Sequence, residues 1–510
     1  MLNRQVTTYP VKGLKDSFAN QKIMVVNRSS AVFPVYLRKG TDVHIVFLNY
    51  WTIKNNIPKE MLLVNIRIYN ELGNLIKINT LEKLENHNQI SIKNILQENK
   101  EIENFDGSAH IEIISKKSLR FKFPGIIAVY QSNNLFSVVH SAGRVKNSDE
   151  VQEIAYTKES NWICKIDKNI TPFFHYFNGP VLPQKKDISV ALYKASNNNL
   201  IISKDIDISD IPELGSRIFT VEKIFPQLEL KEEYYMSVLV EHNCIFPRLV
   251  TGNLFKDCNL LETTHSFPII EKIDHIKTDK EKGNYQSILC GYTSKDLCLD
   301  MKVFPTNCEG EFSADYFSQK YGDSKLTATG KKVHFSVNDL KAMQHFCLSE
   351  NEQFLELGIK SSSVPSRFNA TFLYKVKKIK NNLYSTNIAS GANSCDYPPK
   401  PRHWGHGCLS NGYETAIHIR NTSHEPTKTK DGKVKIILYC KQTKFEHEFK
   451  IKAESSIVLK LSEIVPKDNF AFYKDNNFLS WFMEFDISNC DSKWVSYRKT
   501  DGAIFGDHCF

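Results

Sequence analysis

The chain has 510 residues, of which 41% are apolar and 24% are charged, and its formal net charge is +9. A single core stops growing at about 250–300 residues, so this length excludes a one-domain protein, and the composition excludes a disordered chain. The charge excess is too small for a groove that follows nucleic-acid phosphates, so we expect no nucleic-acid partner.

The N-terminal segment carries no recognisable targeting signal. Its first residues, MLNRQVTTYPVKGLKD, lack the apolar stretch of a secretory signal, and no run approaches the roughly 20 apolar residues of a membrane span. We therefore expect a cytoplasmic protein without a membrane span; export that needs no signal stays compatible with the sequence. Residues 1–40 precede the first repeat described below, and we predict that they form a leader segment.

Four short segments of the form apolar-x-x-apolar recur along the chain. They read SIKNIL, TVEKIF, SVNDLK and KLSEIV, and their last apolar residues recur at steps of 129, 116 and 124 residues: Ile95, Ile224, Leu340 and Ile464. Upstream of each segment a strand-like run ends in an aromatic residue: Tyr69, Tyr193, Phe304 and Tyr439. Between 41 and 47 residues downstream lie His140, His265, Asn387 and His508. These three features occur four times in the same order and at similar spacing, which predicts a fourfold repeat.

Each repeat has the pattern of a β-sandwich. Runs such as HIVFLNYW, LVNIRIY and KVKIILYC are rich in β-branched and aromatic residues, and Asn, Asp, Gly and Lys separate them. Several short strands within about 110 residues are typical of two packed antiparallel sheets. We predict an all-β protein of four tandem antiparallel β-sandwich units, immunoglobulin-like or jelly-roll-like, of about 105–125 residues each.

The repeat also predicts the domain boundaries. We place unit 1 at residues 41–150, unit 2 at 155–275, unit 3 at 280–395 and unit 4 at 413–510. Residues 396–412, DYPPKPRHWGHGCLSNG, are rich in Pro, Gly and His. Such a composition is typical of a connection, so we predict a linker between units 3 and 4.

The residues that close the repeats are the first candidate site. His140 and His265 are followed by Ser, His508 is followed by Cys, and unit 3 has Asn387 in this place. Two interpretations stay open. These side chains lock a strand end by bonding to nearby polar groups, or each contributes one contact to a shared ligand, with Arg144 and Arg248 meeting an anion. The spacing does not tell whether the four positions converge.

The predicted linker is the second candidate site. His403, His406 and Cys408 offer nitrogen and sulfur atoms of the kind that zinc binds, with Cys395 or Asp396 as a fourth ligand. Trp404 suggests a different use, because an indole ring stacks on the apolar face of a sugar. The same residue is also suited to anchor an ordered loop at a domain interface.

Most signatures of known enzymes are missing from the sequence. It contains no GxGxxG, P-loop, HExxH or GxSxG motif. We predict a non-catalytic protein that binds a glycan or cell-surface polymer or acts as a scaffold. A metal-dependent enzyme with zinc at a unit interface, and a structural assembly subunit of undetermined oligomeric state, are the alternatives.

Overall fold

The computed structural model is built almost entirely from antiparallel strands. It describes residues 5–6, 25–97, 103–119, 124–140, 155–160, 162–164, 166–228, 232–242, 248–268, 287–305, 312–335, 343–348, 350–360, 369–379, 384–391, 393–394, 402–422, 429–440, 443–466, 478–486 and 490–510. The predicted all-β sandwich class is therefore confirmed. Among these residues no helix is long and apolar enough to cross a membrane.

The first two sheets form unit 1. Its strands are β1 (Gln5–Val6), β2 (Val25–Leu37), β3 (Thr41–Leu48), β4 (Leu62–Asn70), β5 (Leu75–Leu81), β6 (His87–Ser91), β7 (Phe105–Ser115), β8 (Ile126–Ser132) and β9 (Leu135–His140). One sheet has the order β1-β2-β7-β4-β5 and the other has the order β6-β3-β8-β9. The connections contain two α-helices and a 3-10 turn: α1 (Tyr50–Ile53), Lys59–Met61 and α2 (Ile92–Leu96).

Unit 2 repeats this arrangement. Its strands are β10 (Ala155–Ser160), β11 (Ile163–Cys164), β12 (Ile170–Phe177), β13 (Asp187–Lys194), β14 (Leu200–Asp207), β15 (Ser216–Thr220), β16 (Tyr234–His242), β17 (Val250–Phe255), β18 (Leu260–His265) and β19 (Phe267–Pro268), with helix α3 (Val221–Ile224). The sheets have the orders β14-β13-β16-β10-β19, where β11 also pairs with β16, and β15-β12-β17-β18.

Unit 3 follows with a five-stranded and a four-stranded sheet. Its strands are β20 (Ser287–Tyr292), β21 (Leu297–Val303), β22 (Phe312–Lys320), β23 (Thr327–Phe335), β24 (Gln344–Cys347), β25 (Glu352–Lys360), β26 (Asn369–Val376), β27 (Thr386–Gly391) and β28 (Asn393–Ser394). The sheet orders are β23-β22-β25-β20-β28 and β24-β21-β26-β27.

Unit 4 completes the chain. Its strands are β29 (Arg402–Gly407), β30 (Glu414–Asn421), β31 (Gly432–Cys440), β32 (Thr443–Ile451), β33 (Ser455–Lys460), β34 (Leu479–Phe485), β35 (Cys490–Tyr497) and β36 (Ile504–His508), with helix α4 (Leu461–Ile464). The sheets have the orders β29-β34-β31-β32 and β33-β30-β35-β36. Among the described residues, eight strands recur in the same order in every unit, and the short strands β1, β11, β19 and β28 are additional.

The two sheets of each unit differ in the strand that forms their edge. The outer sheet of each unit ends in a hairpin edge strand: β5, β14, β23 or β32. The inner sheet ends in a strand that we call the closing strand: β9, β18, β27 or β36. The two sheets of a unit share a core, as in unit 2, where Val190 of β13 and Val238 of β16 pack with Phe174 of β12. Alternating burial along β13 shows the period-two pattern that the sequence predicts.

The short repeated segments form one-turn helices that cover the end of the sandwich. SIKNIL, TVEKIF and KLSEIV contain α2, α3 and α4, and each helix buries the two apolar residues of its motif. Ser91 caps α2, since its hydroxyl accepts a hydrogen bond from Asn94 N at 3.0 Å. The third segment, SVNDLK, lies outside the described residues.

Two predicted boundaries need correction. The leader, residues 1–40, contains β2, which pairs along its length with β7 of unit 1. The linker, residues 396–412, contains β29, which pairs with β34 of unit 4. Both strands are outer-sheet strands that come before the first recognisable mark of their repeat. The Pro and Gly residues around β29 suggested a flexible connection rather than a strand. In the structure Gly405 and Gly407 leave space for the side chain of Trp481.

The four units close into a ring. Unit 1 meets unit 2 where Ser216 N donates to Glu71 O at 3.1 Å, and unit 2 meets unit 3 where Met343 N donates to Ala195 O at 3.0 Å. Unit 3 meets unit 4 where Ser456 N donates to Gln319 Oε1 at 2.7 Å. Unit 4 returns to unit 1 through Tyr413, Trp404 and Asp507, which contact Asn134, Tyr50 and His140. Units 1 and 4, the first and the last along the chain, are therefore packed together.

An ionic cluster at the boundary of units 3 and 4 makes ring stability depend on pH. Asp296 of unit 3 accepts hydrogen bonds from Lys460 Nζ at 3.0 Å and from Tyr497 OH at 2.7 Å, and it pairs with Lys499 Nζ at 2.8 Å. Burial raises the pKa of Asp296, but these partners lower it more, to about 2. Because the folded pKa lies below the unfolded value of about 3.9, the paired carboxylate stabilises the fold above that value.

We predict that Asp296→Asn lowers the free energy of unfolding by about 1 kcal/mol at pH 6, after allowance for solvent screening. The difference between wild type and variant should shrink as the pH falls from about 4 to about 2, because the wild-type carboxylate becomes protonated there. Urea unfolding at several pH values measures this difference. The exposed Asp187→Asn serves as the control, and a difference that stays constant down to pH 2 would contradict the role given to Asp296.

Candidate functional site at the centre of the ring

The four closing strands meet at the centre of the ring, and we call their junction the hub. Strand β9 of unit 1 contacts β18 of unit 2 and β36 of unit 4, and β27 of unit 3 contacts the same two strands. Each closing strand is an edge of its own sheet, yet it is covered by two neighbours. The convergence that the sequence left undecided is therefore real for the strands.

Alternation along a strand explains how one closing strand can serve two neighbours. Successive side chains of β9 point in opposite directions. Ser137 faces unit 2, where its hydroxyl lies 3.1 Å from Thr263 Oγ1 and accepts a hydrogen bond from Thr263 N at 2.7 Å. Phe136 faces unit 4 and packs edge to face against Phe505, with ring centroids 5.7 Å apart. A single strand therefore joins three units.

Three of the repeat-closing histidines come together at one end of the hub. The His140 ring centroid lies 4.4 Å from that of His265 and 4.3 Å from that of His508. One ring nitrogen from each of the three lies within 4.8 Å of those of the other two. They form the only group of three or more potential metal-binding side chains found in the part of the chain that the structure describes.

Hydrogen bonds fix the tautomer of each imidazole. His140 Nδ1 donates to Asp507 Oδ2 at 2.9 Å, His265 Nδ1 donates to Ser266 O at 2.8 Å, and His508 Nδ1 donates to Cys509 O at 3.1 Å. Carboxylate and carbonyl oxygens only accept, so each Nδ1 must carry a proton. In the neutral ring, Nε2 then presents a lone pair. The predicted lock between each histidine and its own strand end thus exists for His265 and His508.

Burial keeps His265 and His508 neutral. It lowers the pKa of His508 to about 3, with a further contribution from the nearby His140. Burial also lowers the pKa of His265 well below its usual value, and the positive charge of Arg248 acts in the same direction. Burial raises the pKa of Asp507, but the adjacent His140 lowers it more, so this carboxyl stays ionised. The site therefore combines the neutral imidazoles of His265 and His508 with one negative charge at Asp507.

Of the arginine and the asparagine predicted for this site, the structure places only the arginine beside the histidines. Arg248 Nη1 donates to His265 Nε2 at 3.3 Å, so it belongs to the cluster. Asn387 lies near the start of β27, where Nδ2 donates to Glu262 Oε1 at 3.4 Å, away from the strand end that the histidines occupy. Asn387 pairs with Leu373, the fifth residue of β26, whereas His140 pairs with the second residue of β8 and His265 with the first residue of β17. The match in unit 3 is therefore displaced from the strand end. Arg144 lies outside the described residues.

The opposite end of the hub contains a small hollow between the units. Its walls include Phe136, Ser137, Glu262, Tyr384 and Ser385, from units 1 to 3, and it encloses at most about 270 Å³. The buried carboxylate of Glu262 accepts hydrogen bonds from Asn253 Nδ2 at 2.8 Å and from Ser385 Oγ at 3.2 Å. Small-molecule pockets usually span about 300–1,000 Å³, so the hollow has room for little more than solvent.

Strand geometry keeps the residues of the second candidate site, in the predicted linker, apart from one another. His403 and His406 lie three residues apart on β29, so they point to opposite faces. His403 Nδ1 bonds to Ser492 Oγ at 2.6 Å inside the sandwich of unit 4, whereas His406 Nδ1 bonds to Ser480 Oγ at 2.9 Å. Cys408 Sγ lies 3.2 Å from Ser410 Oγ. The three residues do not form a metal-binding group; Cys395 and Asp396 lie outside the described residues.

Trp404 is an interface residue. Only 4% of it is exposed, and its ring stacks on Tyr50 of unit 1 with centroids 4.4 Å apart. Phe510, the last residue of the chain, packs on it at 5.7 Å, and Lys54 Nζ lies 4.5 Å from the ring centroid. Of the roles predicted for Trp404, the structure supports the anchor between units, because a sugar cannot reach the buried ring.

Two acidic residues of the hub carry functions that the sequence analysis did not assign. Asp507 orients His140 across 367 positions of sequence, and Glu262 joins units 2 and 3. The available signal was an acidic residue inside the last strand of a repeat, since a charge in a buried strand needs a partner.

No protein-family model matches this chain, and no curated protein matches it.

We predict that Trp404→Ala lowers the free energy of unfolding by about 3–5 kcal/mol, because it empties a large buried volume between units 1 and 4. Trp404→Phe should cost less, since it retains an aromatic ring against Tyr50. Guanidinium unfolding followed by circular dichroism measures both. A loss below about 1 kcal/mol in the alanine variant would show that Trp404 does not anchor the interface.

Proposed function

We propose that the protein is a non-catalytic scaffold that assembles with further copies of itself along the hairpin edge strands of units 1 and 2. This proposal joins two roles considered from the sequence, the scaffold and the assembly subunit. Its support comes from the surface of the ring, whereas the hub supplies the rigidity that a scaffold requires.

The distribution of exposed apolar side chains carries the proposal. Every large hydrophobic side chain that is exposed in the described part of the chain belongs to unit 1 or unit 2: Leu72, Leu75, Ile76, Ile78, Val181, Leu182, Leu200 and Ile201. Most of them lie on β5 and β14 or in the turn before β5, and both strands are unpaired sheet edges. Contiguous exposed apolar residues on a strand edge are typical of surfaces that receive another chain.

The matching edges of units 3 and 4 are protected instead. Strand β32 exposes Lys444, Glu446, Glu448 and Lys450, which alternate with half-buried residues. Strand β23 exposes Lys331 and Lys332. Charged side chains of this kind prevent an edge strand from pairing with another chain. The four units share one strand order but differ in the residues of this edge strand. The difference favours a binding role for the apolar edges of units 1 and 2 that the charged edges of units 3 and 4 do not have.

A strand edge offers a simple chemistry of association. An incoming strand bonds to the free N–H and C=O groups of β5 or β14, and its apolar side chains cover the leucines and isoleucines beside them. The proposal includes no catalytic step. The small hollow at the hub supports this choice, because it lacks the volume of an ordinary substrate pocket.

The ligand class and location predicted from the sequence stay predictions. The prediction of a glycan or cell-surface polymer rests on analogy with tandem sandwiches and on Trp404, and the burial of that ring removes the second ground. A cytoplasmic location also stays a prediction from the sequence.

The double variant Ile76→Lys, Ile201→Lys tests the proposed surface. We expect the wild-type chain to self-associate between about 1 and 100 μM, and we expect the variant to remain monomeric because lysines at a sheet edge oppose pairing. Light scattering after gel filtration measures the mass. Melting temperatures should agree closely, since both positions are exposed.

A matched control substitutes two exposed residues of a charged edge. Lys444→Ile, Glu446→Lys alters β32 of unit 4 and should leave the self-association of the wild-type surface intact. A wild-type chain that stays monomeric at 100 μM, or a double variant that associates as strongly as wild type, would refute the proposed function.

A further inference from the structure

We propose that His140, His265 and His508 bind one divalent transition-metal ion, with zinc the best chemical match, and that this ion joins units 1, 2 and 4 at the hub. The site differs from the zinc site that the sequence suggested in residues 396–412. It is also independent of the edge strands on which the proposed function rests.

The first support is the orientation of the three rings. Each Nδ1–H already donates to an oxygen, so the lone pair available on each ring is that of Nε2. Histidines that bind zinc are usually held in this way, with one nitrogen on the ion and the other donating to a carboxylate or a carbonyl. Asp507 is the carboxylate of this site, and Ser266 O and Cys509 O are the carbonyls.

The second support is the distance between the nitrogens. One nitrogen of each histidine lies within 4.8 Å of the others. Around a tetrahedral zinc ion with Zn–N bonds of 2.0–2.1 Å, nitrogens lie about 3.3 Å apart. To reach this geometry the nitrogens would have to approach one another by up to about 1.5 Å, through rotation of the side chains.

The electrostatics both favour and limit binding. The carboxylate of Asp507 lies beside the three rings, with Oδ2 2.9 Å from His140 Nδ1, and a carboxylate at this place attracts a cation. Arg248 opposes the ion, because its guanidinium donates to His265 Nε2 at 3.3 Å. The guanidinium also stacks over Phe267, with Cζ 4.5 Å from the ring centroid. Binding therefore requires Arg248 to leave His265 Nε2, so removal of its charge should strengthen binding.

The proposed role of the ion is to hold the ring closed. The three histidines end β9, β18 and β36, so one ion would link residues as far apart as positions 140 and 508. Asn387 of unit 3 is bonded to Glu262, and the protein ligands therefore number three. Three imidazoles leave one position of a tetrahedral ion for water or another small ligand.

The test begins with the full-length chain, purified without a histidine tag and freed of metal by a chelator. Zinc is titrated by calorimetry, and cobalt is titrated by visible absorption, which reports tetrahedral coordination. We expect about one ion per chain with a dissociation constant below about 1 μM. We also expect the melting temperature to rise with zinc concentration, because the ion binds the folded state.

His265→Gln and His508→Gln should each weaken zinc binding by at least about 100-fold, and Asp507→Asn should weaken it by about 10–100-fold through His140. His403→Gln is the matched control: it replaces another buried histidine, from the zinc set in residues 396–412, and should leave zinc affinity unchanged. Arg248→Met should strengthen binding by about 10-fold, and it tests the site even when the histidine variants fail to fold.

Three results would overturn the proposal. They are a wild-type dissociation constant above about 100 μM, equal affinity in folded His265→Gln and wild type, and an Arg248→Met variant that binds no more tightly. Loss of zinc in His403→Gln alone would assign the ion to the other histidine set and would equally overturn it.

Discussion

A strand at the edge of a sheet leaves a row of backbone groups unpaired, and its flank is open to water. In this protein the inner-sheet edges of four sandwiches face one another, and side chains take over the bonding that a neighbouring strand would supply. Thr263 N, on the free side of β18, donates to the hydroxyl of Ser137 from another unit. The position of each unit thus depends on the closing strands of its neighbours, and the outer contacts of the ring follow from their meeting.

The hub also explains why polar residues occur in fully buried strands. An all-apolar hub would allow the four strands to slide or to exchange neighbours, whereas His140 with Asp507 and Glu262 with Ser385 accept one register only. Burial of such groups is costly unless their hydrogen bonds are made, and here each pair crosses a boundary between units. A few side chains at the hub therefore determine how the units assemble. The units differ on the surface, in the apolar or charged residues of their outer-sheet edge strands.

The sequence predicted the sandwich class and singled out the repeated short segments and the repeat-closing histidines, because each depends on local pattern or on spacing. Spacing could not predict that His140 and His508 meet, since their contact depends on how four units turn relative to one another. It also failed at Asn387, which lies four residues before the end of β27, whereas the three histidines end their strands. The zinc set in residues 396–412 failed for a local reason: strand alternation sends His403 and His406 to opposite faces, and composition had concealed the strand.

A pair of cysteines tests the meeting of the closing strands most directly. In Ser137→Cys, Thr263→Cys the new thiols replace hydroxyl oxygens that lie 3.1 Å apart, and because a C–S bond is longer than a C–O bond the two sulfurs can approach to the 2.03–2.05 Å of a disulfide bond. Mild oxidation should join the two peptides within one chain, and mass spectrometry should detect the linked pair at any protein concentration. If both thiols stay reduced and open to alkylation in the folded protein, units 1 and 2 do not meet through these strands and the hub does not exist as described.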